Sequence, residues 1–337
     1  MSLQPQGFTF DRVVGRSVEL RQAIDFARRV TQAHTSTVLL LGETGTGKEM
    51  FARGIHYEGR NAAAPFVAIN CAAIPDALLE SELFGHEAGA FTGARVRKTG
   101  LMELAGCGTL FLDEVHQLPL NVQPKLLRAL EERRIRRLGA TQEVSIDCRI
   151  MAASNVALER AVEDGEFRLD LFYRLNVLRL EIPSLRQRRG DVEVLARYFL
   201  SEMAREHEQT PKTLSSDAQA LLQAHAWPGN VRELKNVIER AHVLSGASKV
   251  IEAAHLLIQR RTSRSTLMSG APLAGEIEIP LSGKSLREIE REAVHLTLSA
   301  TGGNQSRAAK LLGISRPTLA RIVREMSSDS IRLVEAS

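Results

Sequence analysis

The chain has 337 residues, enough for two or three domains, and its 44% hydrophobic and 25% charged residues are the balance of a soluble globular protein. No apolar run reaches the ~18 residues a membrane span needs, no signal-like segment opens the chain, and three cysteines (Cys71, Cys107, Cys148) cannot build a disulfide framework. A secreted, membrane-embedded or disulfide-stapled protein is excluded, and a cytoplasmic location is expected. Between Gly302 and Glu325, five basic residues (Arg307, Lys310, Arg316, Arg321, Arg324) face one acid, which accounts for the whole net charge of +4. A neutral body with a basic C-terminal end points to an anionic partner there.

From Val38 to about Ile182, short β-branched runs alternate with helical patterns, which predicts an α/β domain with a mostly parallel sheet. The expected strands are Val38–Leu41, Phe66–Asn70, Thr109–Leu112, Arg149–Ala153 and Val177–Ile182. The first runs into Gly42-Glu43-Thr44-Gly45-Thr46-Gly47-Lys48, followed by a helical pattern. Strand, glycine-rich loop and helix N-terminus together present successive N–H groups and the positive helix end to phosphates. Lys48 would reach the β- and γ-phosphates; Glu49 stands where a general phosphate loop has the Ser or Thr that helps hold Mg²⁺. The third strand ends in Asp113-Glu114, where α/β sheets bind ligands. Asp113 is expected to hold Mg²⁺ and Glu114 to polarise an attacking water. Phosphate loop and acid pair together predict nucleotide hydrolysis.

After Gly190 the pattern is helical to Leu244, and Trp227-Pro228-Gly229-Asn230-Val231-Arg232 makes a turn in which Asn230 can cap the next helix. Trp227 reads as core packing. Residues 262–283 hold four Ser, two Thr, three Gly and two Pro, the composition of a linker. Ser285 with Glu288 then opens a helix carrying Leu286, Ile289, Ala293 and Leu296. From Asn304 to Ile322, Ala308-Ala309 allow close helix crossing, Gly313 turns the chain and Ser315 caps a second helix. Leu312, Ile314, Leu319 and Ile322 would lock these two helices, leaving Arg316, Thr318 and Arg321 for a DNA major groove and Arg307 and Lys310 for phosphates. The expected layout is residues 1–183 α/β, 184–260 a helical lid, 261–283 linker, 284–326 DNA-binding module and 327–337 tail.

One hexapeptide, Gly89-Ala90-Phe91-Thr92-Gly93-Ala94, carries a family resemblance. With the flanking Glu82-Leu83-Phe84-Gly85-His86-Glu87, the GETGTGKE loop and the WPGNVREL segment, the chain resembles the sigma-54-dependent transcriptional activators from about Val14 to Val323. Glu49 is usual in that family. The resemblance implies an AAA+ P-loop NTPase fold with a helical lid and a Fis-type helix-turn-helix. It implies ATP and Mg²⁺ as cofactors, a homo-oligomeric ring, enhancer DNA and the sigma-54 RNA polymerase holoenzyme as partners, and remodelling of the closed promoter complex into an open one.

Roles follow by resemblance for single positions. Phe91 would contact sigma-54 from the 89–94 loop, supported by Thr92. Asn70 would hold the catalytic glutamate away from water, and Asn155 would be the sensor beside the γ-phosphate. Arg168 and Arg174 would be arginine fingers given to a neighbouring subunit, Arg232 the lid sensor, and Val14-Gly15 the adenine-side segment. Residues 135–141 would form a second hairpin-like loop near the pore. Bare residues alone leave Phe91 folded onto the core as an open alternative. The dozen residues before Val13 leave no room for a sensor domain, so control by a separate regulatory protein, a truncated chain and constitutive activity all stay open. Two other functions also stay open: a remodeller of another target, and a DNA-binding regulator that only senses ATP.

Overall fold

The structure, a computed structural model, describes residues 8–33, 37–188, 190–206, 208–258, 293–299, 301, 303–316, 318–320 and 322–323. They belong to two units divided between Gln259 and Arg260, each described by itself.

The first unit is built on a parallel sheet of β1 (Val38–Leu41), β2 (Phe66–Asn70), β3 (Thr109–Asp113), β4 (Arg149–Ser154) and β5 (Leu178–Glu181), in spatial order β2-β3-β4-β1-β5. All five expected strands are present; Asp113 and Ser154 extend theirs, and Val177 and Ile182 fall just outside β5. A parallel sheet needs cover on both faces, and the two-residue side-chain period supplies it. Leu39, Leu110, Leu112, Ile150 and Ala152 enter one core. Val38, Leu40, Phe111, Met151, Ala153 and Leu180 enter the other. Each of these Val, Leu, Ile, Met and Phe side chains contributes about 1.5–3 kcal/mol on full burial.

Helices α1 (Val18–Val30) and α2 (Lys48–Tyr57) cover the second face through Leu20, Ala27, Phe51 and Ile55. On the first face lie α3 (Asp76–Phe84), α4 (Leu101–Leu104), α5 (Gln123–Glu132), α6 (Leu158–Glu163) and α7 (Leu169–Leu175). The chain then forms a helical lid of α8 (Asp191–Glu206), α9 (Ser216–Ala224) and α10 (Asn230–Leu244). Its core gathers Leu195, Leu200, Leu222, Leu234, Ile238 and Trp227, whose Nε1–H donates to Leu222 O at 2.9 Å. Val14 packs against this lid core from the N-terminal segment.

In the second unit, residues 293–299 and Gln305–Leu311 are helical, as are residues 316, 318–320 and 322–323. Ala308, Ala309, Leu319, Ile322 and Val294 form its core, with Leu298, Leu312 and Ile314 against it. Small residues at the crossing and a left-handed Gly313 (φ +66°) give the expected tight corner. Asn304 Oδ1 accepts from Arg307 N–H (3.1 Å), and Ser315 Oγ accepts from Thr318 N–H (3.3 Å), capping the successive helices. The linker, the Ser285–Glu288 capping box, Leu286 and Ile289 lie outside the described residues. Among the described residues no helix is long and apolar enough to cross a membrane.

Candidate functional site

The carboxyl ends of β1 to β4 converge where an open α/β sheet binds ligands. There Gly42–Gly47 wraps into the N-terminus of α2, and a cleft of about 700 Å³ opens between this loop and the lid. Thr44 to Glu49, Asn70, Asp113, Glu114, Val14 and Arg232 line it. Lys48 is buried, and its ammonium folds back to donate to Gly42 O (2.9 Å) and Glu43 O (3.4 Å). Burial pushes its pKa down, against the opposing pull of Glu114 and Asp113. The Glu49 carboxylate is held along the helix by Arg53 at 2.6 Å.

Two buried acceptors in this region, Glu114 Oε2 and Asn155 Oδ1, have no hydrogen-bond partner among the described residues. Unsatisfied buried acceptors are costly and mark places where a bound group completes the set. Glu114 sits in the left-handed region (φ +53°), which turns its side chain off the line of β3, and its N–H donates to Asp113 Oδ1 at 3.0 Å. His116 Nδ1 lies 3.6 Å from Glu114 Oε2 and 3.2 Å from Ser154 Oγ. Burial lowers the His116 pKa, keeping the ring neutral. The Asn155 amide donates to Thr44 Oγ1 (2.9 Å), tying the end of β4 to the phosphate loop. Asn70 pairs in register with Asp113, yet its Oδ1 accepts from Ala72 N–H (2.9 Å) and makes no bond to Glu114 among the described residues.

The 89–94 loop tips a hairpin whose legs are Gly85–His86 and Lys98–Thr99. It is closed on itself by Gly89 N–H to Ala94 O (2.7 Å) and Ala94 N–H to Phe91 O (3.0 Å). Phe91 is 39% exposed, and its ring is steeply inclined to that of His86 with 5.0 Å between the centroids. Thr92 and Gly93 are exposed, Ala90 half-buried and Ala94 buried. The second hairpin, Arg134–Arg136 with Glu143–Ser145, lies alongside. Leu138 exchanges backbone bonds with Gly85 and Glu87 (both 3.0 Å), and Arg137 bridges Glu87 and Glu103.

Neither Arg168 nor Arg174 lines the cleft among the described residues. Arg168 lies at the start of α7, paired with Asp170 at 2.7 Å. Arg174 Nη2 donates to Leu130 O at 3.1 Å, at the end of α5. In the second unit Arg307 and Arg316 are exposed, whereas the Thr318 hydroxyl is engaged with Ser315 Oγ at 2.7 Å. Arg321 and the side chain of Lys310 lie outside the described residues.

This arrangement matches known proteins along nearly all of the chain. The sigma-54 interaction domain family matches residues 13–181, the AAA+ ATPase lid domain 186–270, and the Fis family of bacterial regulatory proteins 285–324. The transcriptional regulatory protein FlbD of Caulobacter vibrioides is 42% identical over 326 residues, covering 95% of this chain and 71% of FlbD. The chain belongs to the sigma-54-dependent transcriptional activators. Another relative of this chain, the regulatory protein AtoC of Escherichia coli, is 45% identical over 299 residues. That match takes in 87% of this chain, which spans only 63% of the length of AtoC. Crystal structures of NtrX from Brucella abortus in complex with ADP and with ATP each superpose with a TM-score of 0.68 at 34% identity. They cover 93% of this chain and 68% and 69% of theirs.

Three positions carry no signal in the sequence. Gln123 is completely buried; its amide donates to Leu118 O and Glu166 O and its Oε1 accepts from Arg168 N–H (2.8 Å), which fixes the base of that arginine. Arg188 and Asp191 form a buried ion pair (2.9 Å) at the start of the lid. Asp191 also accepts from Arg16 N–H, Ser17 N–H and Ser17 Oγ–H (2.6, 3.0 and 2.9 Å), and Arg188 donates to Val14 O (3.0 Å). A Cβ on Gly15 would lie 2.6 Å from Asp191 Oδ2, so the segment can approach only because that residue is glycine. The one correction concerns Asn230: it does not cap α10. Gly229 is the cap position, and the Asn230 side chain turns instead to the phosphate loop, because its own backbone is left-handed (φ +53°).

Proposed function

We propose that this chain is an ATPase that assembles into a ring, binds enhancer-like DNA through residues near 302–325 and remodels sigma-54 RNA polymerase from closed to open complex. The carrying observation is the division of polar groups. Lys48, Asp113 and Glu114 line one cleft and Asn155 is bonded to its phosphate loop at Thr44, while Arg168 and Arg174 stand away from it. Two arginines at the finger positions of the resemblance that do not reach their own chain's cleft are placed to serve the cleft of a second copy.

The residues present suit ATP and Mg²⁺. N–H groups of the loop and of the first turn of α2 face the phosphates, and Lys48 exchanges the Gly42 carbonyl for phosphate oxygens. Asp113 would hold Mg²⁺, which neutralises charge on the β- and γ-oxygens when bound. Glu114, with its open Oε2, orients and deprotonates the attacking water; Asn155 reads the γ-phosphate, and Arg232 reports from the lid. The neighbour's Arg168 and Arg174 stabilise charge spreading over the γ-oxygens, an effect worth ~10³–10⁵ in rate for arginine fingers generally. Release of that contact moves α7 and the hairpins packed on the same core, and the 89–94 loop presents Phe91 to sigma-54. Asn70 would restrain Glu114 once its Ala72 contact is given up. A DNA-bound regulator of this kind works in the cytoplasm.

Mixing tests the split site. Lys48→Ala alone and Arg168→Ala/Arg174→Ala alone should each be inactive. Together they should recover ATPase activity, because some seams then join an intact cleft to intact fingers. Specific activity of the unmodified chain should also rise with concentration. No recovery on mixing, with activity independent of concentration, would overturn the proposal.

A further inference from the structure

The turn that opens α10 is bolted to the phosphate loop by one side chain. Asn230 is fully buried and its carboxamide reaches three segments. Nδ2–H donates to Thr44 O and to Glu43 Oε2 (both 3.1 Å), and Oδ1 accepts from Leu185 N–H (2.7 Å) at the hinge between sheet domain and lid. Beside it, Val231 N–H donates to Gly45 O at 3.1 Å. Glu43 is held on its other side by Arg186, whose contact lowers the Glu43 pKa. The fit is close: a Cβ on Gly45 would lie 2.3 Å from Gly229 O.

A trans peptide points its C=O and N–H in opposite directions. Drawing the Thr44 carbonyl toward the lid therefore turns the Gly45 N–H the other way, and that N–H has no backbone partner among the described residues. Gly45 itself lines the cleft. We infer that Asn230 is a positioning residue that makes the anion-binding form of the phosphate loop depend on the position of the lid. It acts in addition to Arg232, and on the loop instead of on the nucleotide. The inference rests on the nucleotide-site reading above. It also explains why a left-handed asparagine sits here, since only that backbone turns the amide away from α10 and toward Thr44.

Two variants separate the amide from the fold. Asn230→Asp keeps size, tolerance of a left-handed backbone and the acceptor for Leu185, but removes both donor bonds and sets a carboxylate against Glu43. Asn230→Gly keeps the backbone freedom and adds no charge. Isothermal titration of the full chain with ATP and with adenosine, together with thermal melts, gives the readout. Each variant should bind ATP roughly tenfold or more weakly, as loss of two buried bonds implies. Adenosine affinity should stay unchanged, because adenosine presents no phosphate to the loop. Wild-type ATP affinity in either folded variant would overturn the inference, as would an equal penalty on adenosine, which would mean general loosening. If Asn230→Asp does not fold, Asn230→Gly decides. An unmodified chain that ignores ATP would take down the nucleotide reading, and the coupling with it.

Discussion

Replacing Asp191 by Asn tests the buried strap that ties the N-terminal segment to the lid. The carboxylate is fully buried, is paired to an Arg188 only 3% exposed, and takes three further bonds from Arg16 and Ser17. Asn keeps one acceptor oxygen but leaves the guanidinium buried without its counter-ion and points an NH₂ at groups that are all donors. Breaking such a pair from one side costs about 3–5 kcal/mol, which for a folded unit of this size is a fall in Tm of roughly 6–20 °C. The loss should depend on pH. Burial pushes the Asp191 carboxyl up, but the bonds from Arg16, Arg188 and Ser17 outweigh it and hold the pKa below the ordinary value. A depressed folded pKa gives stability that is fully present above about pH 4 and lost as pH falls through the folded value. The gap between wild type and Asp191→Asn in calorimetric scans should therefore be full at pH 7 and narrow below pH ~4. ATP affinity should fall as well, since Arg188 no longer steadies Val14 at the cleft. A Tm shift under ~2 °C at pH 7, or a gap that widens in acid, would refute this reasoning.

Further outcomes follow from the same geometry. Glu114→Gln should keep ATP binding in titrations while phosphate release falls by ~10² or more, as expected for loss of a general base; equal loss of both would count against that role. Phe91→Ala should leave ATPase rates near wild type but stop open-complex formation on sigma-54 promoters, measured by footprinting, because the ring is exposed at the loop tip and away from the nucleotide cleft. Gln123→Ala should cost about 2–3 kcal/mol in urea unfolding, since two buried carbonyls and the Arg168 N–H lose their partner. His56 is buried and its pKa is lowered by that burial, so stability should decline as pH drops below ~6.5, where only the unfolded chain takes up the proton. His56→Gln should flatten that slope.

Much of this was legible in the residues. The strands stood out because a doubly covered sheet demands apolar runs such as Val38–Leu41, and the phosphate loop because a strand, three glycines and a lysine leave few other uses. Phe91 was harder: small neighbours suggested exposure, but its edge contact with His86 depends on a buried histidine five residues away whose orientation Ser81 sets at 2.8 Å. Arg188, Asp191 and Gln123 gave no signal, since a charge or amide near a helix start reads as surface until distant segments are brought over it. Asn230 misled for a related reason. A residue before a helix is judged by its local capping options, whereas its partner at Glu43 lies 187 positions away.

Trp227 is the single tryptophan of the chain and is 1% exposed, two positions from the turn that grips the phosphate loop. Its indole lies edge-on to His225 at 4.6 Å, a ring whose Nε2 meets Glu233 at 2.9 Å. The molecule thus carries its own optical gauge. Emission excited near 295 nm comes from this one fluorophore, so quenching or wavelength changes on adding nucleotide would register the lid without any dye attached.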